Sequence, residues 1–130
     1  MNLSNSISEA MMMSDKLLCI KVPTTDVNLL MQIAADPVKA TQSRWFRVLP
    51  KTLVQTNIGV ICYKMQVMAV FRYEHQLDFR LAHTKNGEIT ADVRLSQMID
   101  VSDQYPNFVN HHVDEISSNP ITLITADDIK

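Results

Sequence analysis

The stretch Leu77–Leu95 constrains this chain most, because Lys85-Asn86-Gly87 interrupts two runs of alternating apolar and polar residues. A two-residue Asn-Gly turn would set Leu81 against Asp92 and Phe79 against Arg94, mixing apolar and charged side chains on each face. A three-residue loop with Gly87 in the left-handed conformation removes that conflict. It pairs His83 with Ile89, Leu81 with Ala91, Phe79 with Val93 and Leu77 with Leu95 on one apolar face. The opposite face then carries Arg80–Asp92 and Asp78–Arg94, two cross-strand pairs of opposite charge.

The same logic extends backward. Glu74-His75-Gln76 as a second three-residue loop pairs Tyr73 with Leu77, Phe71 with Phe79 and Ala69 with Leu81, and sets Arg72 opposite Asp78. Residues 53–63 supply a further strand, with Gly59 as its bulge or bend. β-Branching at Ile58, Val60, Ile61, Val67 and Val70 selects strand over a helical reading of residues 58–69. The expected sheet is an antiparallel meander of about four strands over residues 53–96, with one face buried.

Helices are expected on either side of it. Lys16–Val22 is an apolar strand ended by Pro23, and Thr24, Thr25 or Asp26 then caps a helix that buries Val27, Leu30, Met31 and Ala34. Residues 38–48 form a second helix, directing Val38, Trp45 and Val48 inward. Asn107–Ser117 fits a short C-terminal helix with the stripe Phe108, Val109, His112, Val113 and Ile116, and Ile121–Thr125 is extended. The class is therefore α+β, an antiparallel sheet packed by N-terminal helices and one short C-terminal helix. A single domain covers residues 16–125, between a flexible or short helical segment 1–15 and a polar end 126–130.

Composition excludes several chemistries. Gly59 and Gly87 are the only glycines, too few and too far apart for a P-loop, a dinucleotide fingerprint or any other glycine-rich phosphate cradle. The longest purely apolar run, Val67–Phe71, is far short of the ~18 residues of a membrane span. No basic segment precedes the N-terminal methionines, which disfavours a signal peptide. Cys19 and Cys62 sit inside apolar segments and read as buried free thiols of a reducing compartment, so a cytoplasmic protein is expected.

The net charge of −2 hides an asymmetry: residues 37–73 hold six bases and no acid, whereas residues 96–130 hold six acids and one base. Lys39, Arg44, Arg47 and Lys51 make the candidate interaction surface. On a helix, Arg44, Arg47 and Lys51 share one face, and with Trp45 and Phe46 nearby they raise a nucleic-acid-binding alternative. His111 and Glu115, four apart on the expected helix, form half of a metal site that His83 would have to help complete. That set defines the second alternative, a small metal- or histidine-dependent enzyme. The eight methionines and a cleft between sheet and helix add an apolar-ligand site to it. No nucleophile elbow, ligand motif or cofactor motif occurs, so the sequence assigns no catalytic residue, no metal and no cofactor. The leading expectation is a non-catalytic protein-interaction or regulatory module, binding a protein partner or a second copy of itself rather than a membrane.

Overall fold

A computed structural model describes residues 16–22, 27–42, 44–48, 50–95, 97–114 and 120–130. The class is α+β, with seven strands and three helices among these residues. The strands are β1 (Leu17–Lys21), β2 (Ile58–Tyr63), β3 (Gln66–Arg72), β4 (Leu77–His83), β5 (Ile89–Leu95), β6 (Ile99–Asp100) and β7 (Ile121–Ile124). The helices are α1 (Val27–Ala35), α2 (Pro37–Gln42) and α3 (Pro50–Leu53).

Five strands form a mixed sheet in the order β6-β3-β2-β1-β7. β1 runs parallel to β2, and the remaining pairs are antiparallel. Both faces of this sheet are covered, which explains why LLCI in β1 and VMAVF in β3 are apolar at consecutive positions. One face presents Leu18, Ile20, Ile61, Ala69 and Phe71 to Ile33 and Val38 of the helices and to Phe46, Val93 and Leu95. The other presents Leu17, Cys19, Val60, Cys62 and Val70 to Val101 and Val113, with Tyr105, Phe108 and Ile129 packed at the margin.

β4 and β5 form a separate two-stranded hairpin, in the register that the charge and hydropathy pattern demands. Leu77 faces Leu95, Asp78 faces Arg94, Phe79 faces Val93 and Arg80 faces Asp92. The Thr84 N–H donates to the Glu88 carbonyl at 2.9 Å, closing the loop Lys85-Asn86-Gly87, where Gly87 has φ +81°.

The expected four-strand meander does not form, because β3 and β4 do not pair. The outer edge of β3 is already occupied. Phe71 and Arg72 pair with Asp100 and Ile99. The Val70 N–H donates to Ser102 Oγ, the Val101 N–H to the Val70 carbonyl, and the Val67 N–H to the His111 carbonyl. With those groups satisfied, β4 is displaced from the sheet and joins it only through the base of its hairpin.

Gly59 is not a bulge; it pairs regularly with Leu18 and Phe71. Its lack of a side chain makes room for the Phe71 ring, since a Cβ there would lie 2.5 Å from Phe71 Cζ and 2.7 Å from the Leu18 carbonyl oxygen. The irregularity falls instead between Ile61↔Ala69 and Cys62↔Val67, where Met68 is the extra residue. The β2–β3 turn is Lys64-Met65, both residues at positive φ (49° and 63°).

Three expected helical assignments are corrected. In α1 the inward residues are Leu29, Leu30 and Ile33, whereas Val27, Met31 and Ala34 are exposed; Asn28 and Gln32, four apart, mark the outward side together with Met31. The second helix stops at Gln42, and residues 44–48 are extended, because the Phe46 N–H and C=O pair with Val93 at 2.7 Å each. Phe46 is thus the buried aromatic and Trp45 only half-buried. Residues 106–110 are turns rather than a helix, with Asn110 at φ +68°. Residues 111–114 are not helical either, His112 and Val113 forming isolated bridges to Gln66 and Ile129; residues 1–15, Pro23–Asp26 and the last three residues of the expected C-terminal helix, 115–117, lie outside the described residues.

Candidate interaction surface

Because Phe46 adds to β5 on the side opposite β4, the hairpin and residues 45–47 share two chemically distinct faces. On the first, Arg94 Nη2 lies 2.9 Å from Asp78 Oδ2, and Asp92 accepts from Arg80 Nε at 3.1 Å and Arg47 Nε at 3.4 Å. The Trp45 ring takes both cations, with the Arg80 and Arg94 guanidinium carbons 4.6 and 4.7 Å from its centroid. This face is electrostatically satisfied and rigidified by aromatic contact.

The second face is apolar along its length yet buried only at its base. Val93 and Leu95 are 1% and 2% exposed, packed into the core with Phe46. On β4, Phe79 is 55% exposed directly opposite buried Val93, and toward the loop Leu81 is 79% and Ile89 73% exposed. Three large apolar side chains on one strand pair are therefore left in water by a hairpin whose register is otherwise well specified.

The same hairpin ends in an open backbone edge. Both backbone groups of Val93 bond to Phe46, away from β4, so the opposing Phe79–Val93 pair is the wide kind. The N–H and C=O of Phe79 therefore point away from β5, and by strand alternation so do those of Leu77 and Leu81. Among the described residues no strand or loop pairs with that edge.

The residues singled out from sequence are dispersed. Arg47 joins the Asp92 cluster, while Arg44 lies over the Phe46 ring at 5.4 Å. Lys39 lines an open cleft of about 910 Å³ with Gln32, Asp36, Gln42, Asp78 and Arg94, and Lys51 stands exposed on α3. The single basic helical face does not exist, because the helix that would carry it ends before Arg44. Arg47, Arg80 and Arg94 are paired with Asp78 and Asp92, and Trp45 is engaged by the Arg80 and Arg94 guanidinium groups.

The helix expected to carry the metal half-site is replaced by turns at residues 106–110. His111 directly follows those turns, its carbonyl accepting from the Val67 N–H, and Glu115 lies outside the described residues. His83 is exposed near the tip of the hairpin. No group of three potential ligands converges among the described residues. His112, expected in the core, is exposed and sits 3.7 Å from Asp114. Asp114 in turn meets the Lys130 ammonium at 2.9 Å, which holds its carboxyl below the usual range.

Cys19 and Cys62 are free thiols with their sulfurs 3.5 Å apart inside the sheet. The hydrogen bond between them, together with burial, pushes the Cys62 thiol strongly upward, so it is a poor nucleophile. No helix among the described residues is long and apolar enough to cross a membrane. Compared with family models, curated proteins and solved structures, the chain matches none.

The apolar side chains of the hairpin share one face, as the sequence pattern demands, but on β4 that face is exposed rather than buried in a sheet. The signal for the alternative is the contrast between β3, apolar at consecutive positions, and β4, which alternates from Leu77 to Leu81. A strand that alternates beside one that does not is a poor candidate for the same doubly covered sheet.

Proposed function

We propose that this chain is a non-catalytic protein-interaction module of regulatory type, and that the β4–β5 arm is its docking element. The observation that carries this reading is the coincidence, on one strand, of exposed Phe79 and Leu81 with a backbone edge that no described residue pairs. Such an edge adds a strand from a partner through main-chain hydrogen bonds, while the alternate apolar side chains provide pockets and contact area. Left uncovered, it is an aggregation hazard that proteins usually block with charge, proline or a covering element. Asp78 and Arg80 point to the opposite face and do not block it. We also read the protein as cytoplasmic, in keeping with two cysteines that remain thiols although their sulfurs touch.

A photo-activated cross-linking residue in place of Leu81, introduced in the native cell, tests the docking role. Adducts whose peptides identify a protein, absent when the probe replaces the exposed Asp103, support it. Equal adduct yield at both positions, or none at position 81, contradicts it.

A further inference from the structure

We infer that the partner of the β4 edge is a second copy of this chain, joined by antiparallel β4–β4 pairing about a two-fold axis at Phe79. This deepens the proposed docking role of the arm and rests on it.

The strand reads Leu77-Asp78-Phe79-Arg80-Leu81, a sequence that complements its own reversal. With Phe79 opposite Phe79 of the second copy, Leu77 falls opposite Leu81, and Asp78 opposite Arg80. The Leu77–Leu81 and Asp78–Arg80 relations each occur twice by symmetry, and the Phe79 pair once, on the axis.

Two independent features select that register. Backbone geometry comes first: Phe79, Leu77 and Leu81 have the outward N–H and C=O groups, so they must form the hydrogen-bonded pairs of the new ladder. Centring on Phe79 matches them with one another, and any shift by a single residue does not. Charge comes second. Slipping by two residues sets Asp78 against Asp78, or Arg80 against Arg80, and like charges directly opposite are destabilising. The Phe79-centred register instead extends the ion pairs already present. Across four strands the row reads Arg94, Asp78, then Arg80 and Asp92 of the second copy, with alternating sign throughout.

The apolar face gains at the same time. Leu81, the most exposed of its large side chains, enters one row with Leu77 and Leu95 of the second copy, which stand at the base of that copy's hairpin. The distal part of each arm thus meets the body of the other chain. This accounts for an apolar pattern that continues to the tip, where no described residue of a single copy covers it.

Sedimentation velocity on the wild-type chain over roughly 1–500 μM should show a reversible rise from one to two chain masses. D78R and R80D each turn two attractive cross-strand relations into repulsive ones, and should raise the dissociation constant about tenfold or more. An equimolar mixture of the two variants should recover a heterodimer, because the introduced arginine of one faces the introduced aspartate of the other. In wild-type protein mixed from labelled and unlabelled chains, a nuclear Overhauser contact should join the Asp78 and Arg80 Hα atoms of different copies. That contact reports the register without any substitution. A single chain mass at every loading overturns the inference, as does a dimer unaffected by both variants, a mixture no stronger than either variant, or absence of the Asp78–Arg80 contact in the dimer. Identification of an unrelated protein at Leu81 by a monomeric chain would overturn the second copy as partner while leaving the docking role intact.

Discussion

Leu81→Thr and Val93→Ala should have opposite consequences, although both residues belong to the apolar face of one hairpin. Leu81 is 79% exposed, so only about a fifth of its surface is removed from water in a single copy. Full burial of a leucine contributes roughly 1.5–3 kcal/mol, which leaves about 0.5 kcal/mol to lose at this site. Threonine is β-branched and well suited to a strand, so backbone preference adds no loss. Val93 is 1% exposed and packed against the five-stranded sheet, where removing two methyl groups costs about 2 kcal/mol including the cavity left behind. In a domain of this size each kcal/mol shifts Tm by about 4 °C, so the expected drops are about 2 °C and about 8 °C. Both are read by urea and thermal denaturation at the lowest practicable loading, where the single copy dominates. At higher loading the wild-type midpoint should climb, since binding to the folded state stabilises it, and the Leu81→Thr midpoint should stay flat. A loss of 2 kcal/mol or more from Leu81→Thr at low loading would refute the reasoning, because it would mean that the tip of the arm is packed against its own chain.

Three further outcomes follow from local geometry. Met65→Gly should stabilise the fold by about 1 kcal/mol in urea denaturation, because the β2–β3 turn holds two non-glycine residues in the left-handed region; an unchanged midpoint would show that the turn is unstrained. Gly59→Ala should cost about 2–3 kcal/mol, and adding Phe71→Leu should recover only part of it, since the Leu18 carbonyl oxygen still opposes the new methyl; a neutral Gly59→Ala would contradict the packing. The depressed Asp114 carboxyl contributes stability above its unfolded pKa and loses it as pH falls through its folded value. Its titration followed by NMR should move upward in Lys130→Ala, and an unmoved curve would show that the pair does not form in solution.

What the sequence reveals depends on how local the deciding interaction is. The β4–β5 register is legible because Gly87, the alternating hydropathy and two opposite-charge pairs all lie within nineteen residues and agree. The β3–β4 relation is not, because Glu74-His75-Gln76 resembles a hairpin loop while the competitors for the β3 edge come from residues 99–111. The parallel β1–β2 pairing is equally non-local, carried by a crossover of helices. Lys64-Met65 went unmarked since neither residue is a usual left-handed former. Trp45 and Phe46 read as helical until Val93 supplies the partner that makes Phe46 a strand residue. For the candidate surface, the basic residues could be enumerated, but their dispersal follows from where α2 ends. The arm's exposed face follows from a pairing that does not happen, and neither has a local signature.

The free edge of β4 can be tested most directly by amide hydrogen exchange, residue by residue, in the wild-type chain. In dilute protein the Asp78 and Arg80 amides, turned toward β5, should exchange slowly, and those of Phe79 and Leu81 rapidly. As loading rises, or as a partner is added, the Phe79 and Leu81 amides should become protected while the other two change little. Protection of Phe79 and Leu81 that is already complete at high dilution would contradict the claim that this strand stands open to a partner.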